Sequence, residues 1–142
     1  MAQKVNKKGT SSVKRSGVLH GELSKIIAEL GHGQSLVVAD YGLPVPVGVQ
    51  FIDLAVSPGY PSFANVLKAI LSELPVESAV VAGELPLRNP DMFAVLSPLL
   101  QVPIKQVPHD EFKSMLQCTR AIVRTGEWSP FANVMLVAGV VF

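Results

Sequence analysis

Leu23, Ile26, Ile27 and Leu30 recur at the spacing of one helical face, and Gly31 stands where such a helix stops. The pattern then changes. Leu36 to Ala39 is a short unbroken apolar run that reads as a buried strand, and Gly42, Pro44, Pro46 and Gly48 break the chain into a loop after it. Phe51 to Val56 reads as a second strand, with Asp53 inside it. Pro58-Gly59-Tyr60-Pro61 predicts a turn. Ser62 is placed to cap an amphipathic helix made by Phe63, Val66, Leu67, Ile70, Leu71 and Leu74.

The alternation continues to the end of the chain. Ser78 to Ala82 predicts a buried strand. Asn89-Pro90 opens a helix, with Asn at the cap and Pro in the first turn; it carries Met92, Val95, Leu96 and Leu99, and Pro98 is expected to end it early. Ile104 to Val107 reads as a strand. His109-Asp110-Glu111-Phe112 opens a helix through Leu116, with acids in the first turn where the helix dipole favours them. Ala121 to Arg124 and Val134 to Val141 are the last predicted strands. Strands alternating with helices imply an α/β layered fold.

Composition changes this picture in three places. The 142 residues suit one domain: residues 17–142 read as that domain and residues 1–16 as a flexible basic extension. The extension carries Lys4, Lys7, Lys8, Lys14 and Arg15 and no acid. No apolar segment follows it as a signal peptide requires, and five charges without aromatics are a poor nucleic-acid arm. Only 16% of residues are charged against 49% hydrophobic, whereas about a quarter charged is usual for soluble domains. Either part of the exterior is covered by other subunits, or a small domain has a large core.

A net charge of +1 gives no field that would draw nucleic acid or a membrane surface. No apolar run reaches the roughly 18 residues of a membrane span. The single cysteine, Cys118, excludes an intrachain disulfide and fits a reducing, cytoplasmic compartment; its place after a helix reads as a buried small hydrophobe.

The candidate chemistry is sparse. Histidine passes protons near neutral pH, and the chain has three. His32 sits between a helix stop and a strand, His109 opens a helix, and His20 lies at a helix entry. Taken singly, each reads as a surface or capping residue, and no metal-binding spacing joins them. Asp40 ends a predicted buried strand, where ligands of open α/β sheets gather; it equally suits an Asx turn before Tyr41-Gly42. Asp53, inside a strand, is a weaker candidate that can simply face solvent. Asn133 offers an amide at the mouth of the last strand. No nucleophile elbow, phosphate loop or dinucleotide fingerprint is present, so no nucleotide or redox cofactor is suggested.

In order, these segments resemble the D-ribose pyranase family of sugar mutarotases. The resemblance runs from about Lys14 to Phe142 and rests on Leu30-Gly31-His32, Leu36-Val37-Val38-Ala39-Asp40, Gly42-Leu43-Pro44-Val45-Pro46 and Ile52-Asp53-Leu54-Ala55. It continues in Gly59-Tyr60-Pro61-Ser62-Phe63, His109-Asp110-Glu111-Phe112-Lys113, Arg124-Thr125-Gly126-Glu127 and Ser129-Pro130-Phe131-Ala132-Asn133. The related L-fucose mutarotases share the Gly-His and Gly-Glu segments. Gly-Leu-Pro-Val-Pro and Ser-Pro-Phe-Ala-Asn place this chain on the ribose side.

The resemblance implies a three-layer α/β/α fold with a central mixed sheet, assembled as two stacked five-membered rings with sites at subunit junctions. It implies interconversion of β-D-ribopyranose and β-D-ribofuranose without metal or cofactor. His32 matches the family's catalytic histidine, Asp40 a sugar-binding aspartate and His109 a second binding histidine. Phe131, Ala132 and Asn133 match a Tyr-Ala-Asn sugar-binding stretch. His20 falls where the family usually has Asn and is given no catalytic role. Phe131 departs from the pattern, because it lacks the hydroxyl that the family's tyrosine offers the sugar; one such hydrogen bond is worth about 0.5–1.5 kcal/mol. The departure leaves three alternatives open: weaker ribose binding, preference for another monosaccharide, or a sugar-binding oligomer with little catalysis.

Overall fold

The computed structural model describes residues 13–142; residues 1–12 of the basic extension lie outside the described residues. Just inside the described chain, the Lys14 ammonium meets the Glu73 carboxylate at 3.0 Å and donates to the Val18 carbonyl at 2.7 Å.

Twelve elements follow: α1 (Gly21–Glu29), β1 (Ser35–Ala39), β2 (Gln50–Asp53), α2 (Phe63–Leu71), β3 (Val76–Ala82), α3 (Glu84–Arg88), α4 (Pro90–Leu100), β4 (Ile104–Val107), α5 (His109–Met115), a 3-10 turn (Leu116–Cys118), β5 (Ala121–Arg124) and β6 (Val134–Ala138). The strands form one sheet in the order β2-β5-β1-β6-β3-β4. Neighbours pair in parallel except around β6, which runs antiparallel to both β1 and β3. Five strands therefore point one way. Their carboxyl ends gather at one edge of the sheet, where β6 begins, and their amino ends gather where β6 finishes.

Period-two alternation divides the core between the two faces. Leu36 and Val38 of β1 pack with α1, α2, α3 and α4 through Ile26, Phe63, Leu67, Leu85 and Leu96. Val37 and Ala39 pack on the other face with Phe112 of α5, Leu116 of the 3-10 turn and Leu43 of the loop after β1. The result is the α/β/α layering with a mixed central sheet that the family resemblance implies. The caps follow ordinary chemistry: the His20 ring accepts from the Leu23 N–H at 3.2 Å, and the Ser62 hydroxyl accepts from the Asn65 N–H at 3.1 Å.

Several sequence expectations are corrected. β2 ends at Asp53 rather than Val56, because the Asp53 carboxylate accepts from the Ala55 N–H and turns the chain. Pro98 does not stop α4, which runs to Leu100 and closes on Gln101 at φ 51; the missing N–H leaves the Ala94 carbonyl without its helical donor, and the helix continues only two residues beyond it. β6 stops at Ala138, since the Gly139 N–H bonds the Pro75 carbonyl, and Val140 to Phe142 run on exposed. Cys118 is exposed: the three-residue period of its turn puts Leu116 inward instead. α3 has only five residues, one of them Pro86, too few to show a period.

Candidate functional site

At the carboxyl edge, groups that follow β5, β1, β3 and β4 converge with one that precedes β6. Asp40 is the residue after β1 and Asn133 the residue before β6. They bind each other twice: the Asp40 N–H donates to Asn133 Oδ1 at 2.8 Å, and Asn133 Nδ2 donates to Asp40 Oδ2 at 3.2 Å. The Gly42 N–H donates to Asp40 Oδ1 at 2.9 Å, so the Asx turn and the strand-end carboxylate are one arrangement. Asp40 is 8% exposed and Asn133 2%. Burial pushes the Asp40 carboxyl above its usual range, against the pull of the Gly42 N–H, the Asn133 amide and the backbone amides of Leu43 and Ala132. The Gly42 N–H bonds Oδ1 and the Asn133 amide bonds Oδ2, so each carboxylate oxygen is held by at least one donor.

Buried Thr125 anchors the rim. Its hydroxyl donates to the Ala39 carbonyl at 2.8 Å and accepts from the Glu127 N–H at 3.1 Å. The Tyr41 N–H then donates to the Glu127 carbonyl at 2.8 Å.

His109 opens α5 directly after β4. Its N–H donates to the Glu84 carboxylate at 3.0 and 3.2 Å, which ties the start of α5 to the end of β3. Its Nδ1 is buried and, among the described residues, has no hydrogen-bond partner. Buried polar atoms are nearly always paired, so stability alone does not explain this one. The ring meets Phe131 edge-on at 5.0 Å between centroids, and the Arg88 guanidinium lies 5.7 Å from the Phe131 centroid. Phe131 holds a left-handed φ of 60, uncommon for a bulky side chain. Asn89 occupies the cap position of α4 without capping it; its amide donates instead to the Pro130 carbonyl at 2.7 Å and steadies the segment before Phe131.

These groups surround an open cavity of ≈ 300 Å³ lined by Asp40, Gly42, Leu43, Pro44, His109, Lys113, Pro130, Phe131 and Asn133. A second cavity of ≈ 320 Å³ adjoins it at Asp40, Gly42 and Pro130, and includes Tyr41 and Trp128, whose rings stack at 6.3 Å. Ala132 lines neither; it is fully buried in the core and contributes only its backbone amide. Lys113 stands four residues after His109, one helical turn along α5, and that spacing was its signal in the sequence. Pro44, Pro130 and Glu84 gave no comparable signal.

His32 is elsewhere. It precedes β1 and lies at the opposite edge, so the whole five-residue strand, about 15 Å, stands between it and Asp40. Its side chain is 59% exposed and its Nε2 lies 2.8 Å from Glu77 Oε1. A single chain thus brings Asp40, His109, Phe131 and Asn133 together and leaves His32 out. Asp53 is outside the cavity too. It pairs with Arg124, whose guanidinium holds the Asp53 carboxyl below its usual range and lies 4.7 Å over Tyr41 and 4.9 Å over Phe51.

Among the described residues no group of three or more His, Cys, Asp or Glu is placed to hold a metal ion, and no helix is long and apolar enough to cross a membrane. Residues 13–141 match the family model described as the RbsD / FucU transport protein family. A D-ribose pyranase of Laribacter hongkongensis is 49% identical, over 92% of this chain and 100% of its own. One from Symbiobacterium thermophilum is 50% identical with the same coverage. The solved structure of Bacillus subtilis RbsD complexed with D-ribose superposes with a TM-score of 0.88 at 41% identity, covering 91% of this chain and 99% of that one.

Proposed function

The chain belongs to the RbsD / FucU transport protein family, and from that premise we propose that it is a D-ribose pyranase, interconverting the six-membered and five-membered ring forms of D-ribose. The observation that carries the reading is the Asp40–Asn133 pair beside His109 and Phe131 around a sugar-sized cavity, in a chain about half identical to D-ribose pyranases over their full length.

The chemistry is a ring opening and a reclosure. A proton reaches the ring oxygen as its bond to the anomeric carbon breaks, while the anomeric hydroxyl loses its proton and becomes the aldehyde. A different hydroxyl then adds to that carbon and the protons return, so none is gained or lost. His32 is the proton donor to the ring oxygen. Asp40, His109 and Asn133 hold and orient the hydroxyls, which turns a search among conformers into a directed closure. Phe131 supplies an apolar wall, and Ala132 sets the backbone between it and Asn133.

His32 reaches this cavity from a neighbouring subunit. Its position at the far edge of the sheet supports that, as do the exposed Tyr41, Trp128, Val141 and Phe142, a set of large apolar side chains that association would cover. The assembly is the homodecamer of two stacked pentamers that the family resemblance implies. The lone Cys118 accords with a cytoplasmic location.

Exchange spectroscopy by NMR on D-ribose, with and without the protein, tests the reaction. Faster pyranose–furanose exchange at unchanged equilibrium populations is expected; exchange at the buffer rate would overturn the reading. Phe131 favours one second reading, turnover of another monosaccharide, and the same measurement on fucose and galactose separates the two.

A further inference from the structure

His32 is not simply a surface histidine with a chance partner. It occupies the second position of a turn in which the Gln34 N–H donates to the Gly31 carbonyl at 3.1 Å. Gly33 follows at φ 86, the left-handed third position of a type II turn, which glycine tolerates best. The Gln34 side chain accepts from the Gly31 N–H at 2.7 Å, and the Gly33 N–H donates to the Ala138 carbonyl at 2.9 Å. The turn is closed on itself and pinned to the end of β6.

Glu77 is aimed by an independent feature. Val76 pairs with Ala138 and Ser78 with Val137, so two steps along β3 match one along β6 and Glu77 is the extra residue of a bulge. Bulges re-aim side chains and recur beside active sites. The neighbouring strand end is shaped to admit this one: a Cβ on Gly139 would stand 3.2 Å from the Glu77 Cβ and 3.4 Å from its nitrogen. Turn, bulge and glycine together bring the Glu77 carboxylate to 2.8 Å from His32 Nε2. A half-exposed histidine–carboxylate contact adds little to stability, which leaves the shaping of both strands without a stability rationale.

We propose that Glu77 is the positioning residue of His32: it accepts the Nε2–H, fixes that tautomer of the neutral ring and the ring's plane, and so makes Nδ1 the nitrogen that takes up a proton to form the imidazolium and gives it to the sugar's ring oxygen. A carboxylate acting through one imidazole nitrogen leaves the other free for proton transfer and favours the imidazolium when it forms. The inference rests on the catalytic role given to His32 above.

Two readouts on the full-length assembly test it. Nitrogen-15 NMR of histidine-labelled protein reads the neutral tautomer of His32, whatever sugar the enzyme turns over; the Nε2–H form is expected, and the Nδ1–H form in the wild-type protein would overturn the proposal. Ribose exchange kinetics then compare Glu77→Gln with wild type. The expected result is a kcat lowered roughly 10- to 100-fold with KM within about twofold, and a mixture of tautomers at His32. Glu77→Asp, which keeps the charge, should retain the Nε2–H tautomer and recover part of kcat. An unchanged kcat in Glu77→Gln, or a lowered one with the tautomer unmoved, would also sink the idea. Absence of ribose turnover in the wild type counts against the reaction instead, and leaves the tautomer measurement to decide on Glu77.

Discussion

At the carboxyl edge of β1, Asp40 and Asn133 are buried, bonded to each other twice and steadied by the Gly42 amide. At the amino edge of the same strand, His32 stands in solvent on a turn, held by one glutamate. Both ends carry polar groups of the kind that act on sugars, yet only the first is finished within one chain. Groups that must recognise several hydroxyls gain from being fixed before the ligand arrives, because ordering them later would cost binding energy. A single proton-moving imidazole needs one orientation and one partner, and the chain can present it outward for a neighbour's cavity. Under the function proposed above, the contrast divides binding from proton transfer between the two ends of one strand.

The sharpest way to break that division is to mix two defective chains. His32→Ala and Asp40→Ala should each abolish ribose exchange. Co-assembled from equal amounts after dissociation, they should regain about one quarter of wild-type activity, because each site draws its histidine and its aspartate from different chains. Zero recovery in well-formed mixed oligomers would mean that one chain supplies both groups. The same pair of residues predicts unequal stability effects. Asn133→Ala leaves the Asp40 N–H and carboxylate short of a buried partner, and denaturant unfolding should show a loss of about 1–3 kcal/mol. His32→Ala removes an exposed side chain and should stay within about 0.5 kcal/mol of wild type.

Acid sharpens the comparison further. Burial raises the folded-state pKa of Asp40 above its unfolded value, so the folded protein holds that proton more tightly than the unfolded chain does. The resulting stability is fully present below the unfolded value of about 3.9 and is lost as pH rises through the folded pKa. Asn133 opposes this by donating to the charged carboxylate. Removing it raises the folded pKa further and makes the total loss larger. The stability difference between Asn133→Ala and wild type should therefore be larger at pH 7 than at pH 4; equal differences at both would show that Asn133 acts only through the Asp40 N–H. No such dependence on Asn133 is expected of His32→Ala, whose side chain lies a strand length away.

The sequence carried one edge of the site better than the other, and the reason is range. Leu36 to Ala39 announces a strand by its unbroken apolar run, and Asp40 after it marks the carboxyl end where ligands collect, so one local stretch contains both element and candidate. The pairing of Asp40 with Asn133 joins residues 93 apart, and that of His32 with Glu77 joins residues 45 apart; no local period encodes either. Glu77 is hidden further by its bulge, which breaks the alternation that a strand reading relies on. Asn89 misled in the opposite direction. Its place before Pro90 is the signature of a cap, but the Pro130 carbonyl, brought close only by the tertiary fold, takes its amide. Layering of the fold survived these misses because it depends on the apolar runs of β1 and β5 and the helical period of α2, not on any single contact.

The smallest expected effect concerns Phe131, where the family resemblance implies a tyrosine. Its ring is enclosed between the His109 imidazole and the Arg88 guanidinium, so an aromatic wall is kept while a hydroxyl is missing. Phe131→Tyr restores the hydroxyl without changing the ring or the left-handed backbone that carries it. If the cavity is a ribose site, one added hydrogen bond of about 0.5–1.5 kcal/mol should raise kcat/KM for D-ribose about 2- to 12-fold. The gain should fall mainly on KM, because the hydroxyl belongs to the binding edge and His32 is untouched by it. A gain confined to kcat would blur the division between the two edges of the sheet. A loss for ribose with a gain for another monosaccharide would mean that Phe131 selects its substrate, and that this chain's cavity is shaped for a sugar whose hydroxyl at that point is absent or turned away.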